Sequence, residues 1–150
     1  MATRKRKVSV AKLPMQRQFA FNEQGRVFNL RAIFDKLNAK YFRNRLKDYS
    51  IVWGRKRKTR PRDEIVFGTI QEDDRIIRIH PLLDREIVPT WFLEYVIYHE
   101  MLHSVVPDEY DRKRKRRIVH TEKFRAREQR YPWYRRAQKW ETENLARFLQ

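Results

Sequence analysis

The sequence predicts an α+β domain, a short β-sheet packed on one deeply apolar helix with further helices towards the C-terminus. Three observations predict it. Apolar residues recur at helical spacing from Phe28 to Tyr41, three short alternating or β-branched runs lie between residues 50 and 80, and the stretch after Pro89 is apolar on nearly every side.

The elements follow in order. Residues 1–18, with "RKRK" at 4–7, lack periodicity and are expected to be a basic flexible arm before a domain spanning 19–150. Leu30, Ile33, Phe34, Leu37 and Tyr41 share one helical face and are expected to pack into the core. "SIVWG" (50–54) and "EIVFGTI" (64–70) alternate, while "RIIRIH" (75–80) is β-branched and bounded by Asp73–Asp74 and Pro81. "RKRKTRPR" (55–62) links the first two runs as a hairpin or loop. With only three glycines in the chain, turns are expected to come largely from Asp, Asn and Pro.

Pro89–Thr90 opens "WFLEYVIYHEMLHSVV", a helix whose all-round apolarity places it mid-domain, and Pro107 stops it. After the acidic "DEYD" and six consecutive cations, His120 begins the helical "HTEKFRAREQRY". Pro132 ends that stretch and suits the first turn of a last helix, where Trp133, Ala137, Trp140 and Phe148 give a packing stripe.

A chain of 150 residues with 41% hydrophobic and 13% aromatic residues is long and apolar enough for one packed domain. Its net charge, 36 − 19 = +17, implies a field that attracts nucleic acid or another polyanion. Zero cysteines exclude disulfides, thiol nucleophiles and cysteine-held zinc, so any metal must be bound by His and carboxylate. No apolar run approaches a membrane span and no signal-peptide core follows the basic N-terminus. The protein therefore reads as intracellular and soluble, cytoplasmic or associated with a nucleoid or nucleus, and as a monomer.

The chemistry concentrates in "HEMLH", residues 99–103. His99 and His103 lie four apart, so both imidazoles leave one helix face and can share a metal ion. Glu100 points to the side, placed to take a proton from water activated by Zn2+. Met101 and Leu102 face the core. The alternative is two helix histidines satisfied by hydrogen bonds with Glu100 in an ion pair, but burying those groups in so apolar a helix without a compensating ion is costly.

Catalytic zinc wants three protein ligands and an open position. Glu109 has the offset of the third ligand in HExxHxxGxxH enzymes, yet Val106 stands where their turn needs glycine. His120 is the better choice, at the head of the next helix after an excursion long enough to fold back, with Phe124 anchoring that helix. Asp108, Glu109, Asp111 and Glu122 are reserve ligands. His80, between a strand and Pro81, reads as structural or cleft-edge.

Well beyond the metal motif, the sequence resembles the SprT-like zinc metallopeptidases, the group that includes the Spartan-type protease domain. "IFDKLNAKYFRNRL" (33–46) resembles the family's opening helix and "IVWGRKRKTR" its first strand and basic hairpin. "RIIRIHPLLD" (75–84) resembles the strand before the active-site helix, and "YVIYHEMLHSVVP" and "HTEKF" the HExxH helix and the following H-x-x-x-F element. The similarity covers about residues 28–131. It implies a small zincin fold, zinc held by His99, His103 and His120, Glu100 as general base, and cleavage of proteins trapped on DNA, as in DNA–protein crosslink repair. This chain departs from the family in Thr121, where members often carry glycine, in the basic insertion before His120, and in having no cysteines for the C-terminal zinc ribbon that some members carry.

Arg112, Lys113, Arg114, Lys115, Arg116 and Arg117 fall between metal ligands, so connectivity keeps them near the cleft rim, where they are expected to neutralise phosphates. Arg55, Lys56, Arg57 and Lys58 extend the track, and Trp53, Tyr110 and Tyr134 are candidates to stack on bases. The expected activity is thus a zinc endopeptidase on nucleic-acid-associated proteins. Two other readings stand beside it: a nucleic-acid-binding module with a structural metal, and a zinc hydrolase of a small phosphorylated substrate.

Overall fold

The computed structural model describes residues 22–56 and 65–149; the expected arm at 1–18, its boundary, and residues 57–64 lie outside them. Helix α1 (Leu30–Tyr41) starts where Asn29 caps it, the Asn29 side chain accepting from the Ala32 amide at 3.0 Å. Its expected stripe is buried at Leu30, Ile33, Phe34 and Leu37, with Tyr41 packed at the edge of the core. Buried Asn38 grips the returning chain: its amide donates to the Leu46 carbonyl at 3.0 Å and its oxygen accepts from the Leu46 amide at 3.2 Å. That clamp delivers the chain to strand β1 (Ser50–Trp53).

Strands β2 (Gly68–Gln71) and β3 (Ile76–Ile79) complete a sheet of order β1-β3-β2. β1 runs parallel to β3 (Ile51 opposite Ile77), and β2 is antiparallel to it (Ile70 opposite Ile77). Two expectations are corrected here. The second strand begins at Gly68, not residue 64, and β1 and β2 do not pair, which removes the hairpin from the two readings, hairpin or loop, of the link between them. β3 carries the isoleucines that bury on both sides, which is why it takes the central position.

His80 then caps a 3-10 turn (Pro81–Leu83), its Nδ1 accepting from the Leu82 amide at 3.1 Å. Asp84 accepts from the amides of Arg26, Val27 and Phe28, stitching the entry loop to this corner. Helix α2 (Thr90–His103) crosses the middle of the domain, packed on β2, β3 and α1, and eleven of its fourteen residues are buried. Its Glu94 pairs with Lys36 of α1 at 2.6 Å.

The chain next forms a second, two-stranded sheet, β4 (Glu109–Asp111) and β5 (Arg116–Ile118). Arg112 to Lys115 make its turn, shaped by Asp111 Oδ1 accepting from the amides of Lys113 and Arg114. Helix α3 (Glu122–Gln129) is capped by Thr121, whose hydroxyl accepts from the Phe124 amide, and Phe124 is fully buried. Helix α4 (Tyr134–Leu149) follows, with Ala137 and Phe148 buried.

The expected stripe on α4 is corrected at Trp133, which is 39% exposed, whereas Trp140 packs on Phe92 at 4.3 Å. Left-handed backbone falls on Asn44 and Asp48, as expected of a glycine-poor chain, but also on Arg43, Arg75 and Lys115. The described residues thus form an α+β fold of four α-helices and two small sheets, and no described helix is long and apolar enough to cross a membrane.

Candidate metal centre

His99 and His103 lie one turn apart on the last part of α2, and the β4–β5 excursion returns His120 opposite them, just before α3. The three Nε2 atoms face one another: His99 to His120 at 3.1 Å and His103 to His99 at 3.3 Å. For a metal with bonds of about 2.0–2.1 Å, a tetrahedral edge is about 3.3–3.4 Å, so these spacings suit three corners of one coordination sphere. The three side chains form a group able to hold a metal ion. Three imidazole nitrogens turned inward have too few protons to hydrogen-bond one another fully; an ion at their centre satisfies all the lone pairs.

Different neighbours fix each ring. His99 Nδ1 lies 2.7 Å from Glu128 Oε1, an oxygen that also accepts from the Tyr95 hydroxyl at 2.6 Å. Gln138 donates to that hydroxyl at 2.8 Å. A proton on His99 Nδ1, donated to Glu128, leaves Nε2 free to ligate. His103 is held by packing: Phe124 stacks on it at 4.3 Å and 23°, and its buried Nδ1 has no hydrogen-bond partner among the described residues. Phe124 also touches His99 and His120, so one buried ring props all three imidazoles.

The electrostatics separate the roles. Burial, reinforced by the charges of His99 and His120, pushes His103 down to about 4, leaving it neutral and able to ligate at neutral pH. Burial also lowers His120. Burial opposes the His99 cation, but Glu128 and Glu100 outweigh it and its pKa is raised. Burial lifts Glu128 too, yet its hydrogen bonds to His99 and Tyr95 prevail and hold it below the ordinary carboxylate range. Glu100 goes the other way: burial pushes it up to about 7 against the opposing pull of His99.

Glu100 rests against β2. A Cβ added at Gly68 would lie 2.8 Å from Glu100 Cγ and 2.9 Å from Oε1, so the glycine makes room for the carboxylate. All four residues open onto a cleft of about 1030 Å³ between β2, α2, the β5–α3 connection and α4. Val66 and Val119, two exposed apolar side chains, also line it.

His80 stands apart in its capping role, and Glu109 is exposed on β4, outside the histidine group. Asp108 reaches the cleft but ion-pairs with Arg117. Of the expected nucleic-acid contacts, Arg55 and Lys56 are exposed beyond β1, and Arg57 and Lys58 lie outside the described residues. Arg112 to Arg116 project from the hairpin into solvent, and only Arg117 lines the cleft. Tyr110 is 64% exposed beside Arg117, Tyr134 lines the cleft, and Trp53 is packed against the core.

Sequence reasoning missed Glu128, Tyr95, Gln138 and Gly68. A signal existed for Glu128, which follows Phe124 by four residues and so shares the buried face of α3. The chain matches no family model, no curated protein and no solved structure.

Proposed function

We propose that this chain is a zinc-dependent endopeptidase of SprT-like type with a minimal zincin fold, acting on proteins associated with DNA in a manner resembling DNA–protein crosslink repair. The observation that carries the reading is the convergence of three imidazole Nε2 atoms beside a buried carboxylate in an open cleft. His99, His103 and His120 would hold the ion. Zinc bound there would supply Lewis acidity, polarising a substrate carbonyl and making water a better acid.

The remaining work falls to the chain's own groups. Glu100, with a pKa near neutrality, accepts a proton from the attacking water and returns it to the departing amide nitrogen. Water oxygen joins the carbonyl carbon, the C–N bond breaks, and a carboxylate and an amine leave. Strand β2 lies at one edge of its sheet and its residues line the cleft, so an extended polypeptide can lie along it with side chains against Val66 and Val119. Net charge of +17 and a cationic hairpin joined directly to His120 support a nucleic-acid-bound substrate.

A structural metal would call for a fourth protein ligand, and the described group has three. A small phosphorylated substrate is less well served by a cleft at the large end of small-molecule sites. The test is cleavage of histone or casein, with and without DNA, by wild type and Glu100→Gln. We expect loss of about 10²–10⁴-fold in turnover with metal content unchanged. Equal activity in the two proteins would remove Glu100 from its role.

A further inference from the structure

Trp133 is one of six large hydrophobic residues left exposed among the described residues, and unlike Val66 and Val119 it does not line the cleft. It is firmly mounted. Its ring lies 6.5 Å from Trp91 at 32°, and the Arg136 guanidinium sits 4.4 Å from Trp91 and 5.4 Å from Trp133. Trp91 belongs to the first turn of the central helix and meets Trp140, which packs on buried Phe92. A chain of rings thus runs from the core to a partly uncovered indole.

The setting of that indole is cationic. Arg130, Arg135 and Arg136 lie within three residues of it, all exposed, and none forms an ion pair among the described residues. The cleft has the opposite balance: Glu72, Asp73, Asp74, Asp108 and Glu141 line it besides Glu100 and Glu128, against two arginines, Arg117, which pairs with Asp108, and Arg125. A polyanion therefore meets a more favourable charge balance on this surface than in the cleft. Helix α4 separates the two. Tyr134, Gln138 and Glu141 form its cleft-lining stripe, while Arg136 and Trp140 form another, roughly a third of a turn around the helix, with Trp133 in the turn just before its first residue.

We infer that the Trp133–Arg136–Trp91 stack is a binding site for single-stranded nucleic acid, with an unpaired base stacked on Trp133 and phosphates neutralised by Arg130, Arg135 and Arg136. An indole offers a stacking surface indifferent to base identity, and pre-packing by Arg136 and Trp91 leaves little freedom to lose on binding. A strand held there runs beside the cleft without entering it. The inference rests on the nucleic-acid half of the proposed function and is independent of the peptidase half.

The test is fluorescence anisotropy of a labelled oligothymidylate and of the same strand annealed to its complement, with the full chain. Trp133→Ala is expected to weaken single-strand binding about 5- to 150-fold, the range for removing one base–aromatic stack, and Trp133→Phe to recover much of it. Duplex binding is expected to stay nearly unchanged, and unchanged melting temperatures to report intact folding. Arg136→Gln is expected to flatten the salt dependence for the single strand by somewhat less than one unit of slope. If Trp133→Ala leaves single-strand binding intact while hairpin variants weaken it, this site is refuted and the broader nucleic-acid reading stands. Equal weakening of single strand and duplex also refutes stacking. Failure of wild type to bind either oligonucleotide refutes both.

Discussion

The histidine cluster and the β4–β5 hairpin adjoin in the chain, with His120 only two residues beyond Ile118, yet they are built on opposite principles. In the cluster every functional side chain is gripped: His99 by Glu128, the three imidazoles by Phe124, Glu100 against Gly68. In the hairpin the carboxylate of Asp111 shapes the turn through backbone amides and pairs loosely with exposed Arg114 at 3.9 Å, while the cations of Arg112, Lys113 and Lys115 extend into solvent. The proposed ligation and proton transfer would depend on distances good to a fraction of an ångström, which buried contacts of this kind would secure. Attraction of a polyanion depends on charge density over a Debye length, which a loosely placed run of cations supplies as well as a rigid one.

That contrast can be tested first where the effect is greatest. Removing a proposed ligand should abolish the centre: His103→Ala is expected to lower metal affinity by more than the 10- to 100-fold typical of outer partners, with the proposed activity lost in parallel. Metal analysis after gel filtration, set beside peptide cleavage, measures it. Glu128→Gln comes next. It keeps an acceptor for Tyr95 but loses the charge facing His99 Nδ1, and metal affinity should fall about 10- to 100-fold in competition with a chromophoric chelator. Unchanged affinity would mean that His99 needs no such support. Gly68→Ala should leave metal content intact and reduce turnover by up to about 10²-fold, because the new methyl displaces the Glu100 side chain.

The same contrast explains what could be read from the sequence. The spacing of His99, Glu100 and His103 was legible because a helix converts an offset of four into a shared face. His120 could be chosen because histidine is scarce in this chain and because Phe124, four residues on, marked the buried side of the next helix. Glu128 was missed because a carboxylate in "EKFRAREQR" looks like any other member of a charged surface helix until α3 is docked on α2. Strand order was equally hidden. Two alternating runs joined by a short link suit a hairpin or a loop equally, and the central place went to the run with isoleucines to bury on both faces. Trp133 was misjudged for a related reason: helical periodicity assigns a face, and only packing shows that Trp91 and Arg136 fill the space beside it before the core reaches it.

The smallest expected effect is the most discriminating. Replacing Arg112, Lys113, Arg114 and Lys115 together with glutamine removes four charges from a turn whose shape is set by Asp111, so each substitution should change stability by no more than about 0.5 kcal/mol. Cleavage of a short uncharged peptide should proceed at the wild-type rate. Binding to duplex DNA should weaken, with its log–log salt slope reduced by about 0.9 for each phosphate that is no longer neutralised. Arg117 is excluded from the set because it pairs with Asp108 at the cleft, and its removal would change both regions together. If the fourfold variant cleaves the peptide slowly while retaining its metal, the hairpin is steering His120, and the division between a rigid centre and a diffuse field gives way to a single coupled unit. If it cleaves the peptide normally but loses DNA-stimulated cleavage of a bound protein, the field acts by recruitment alone, and the geometry of the centre owes it nothing.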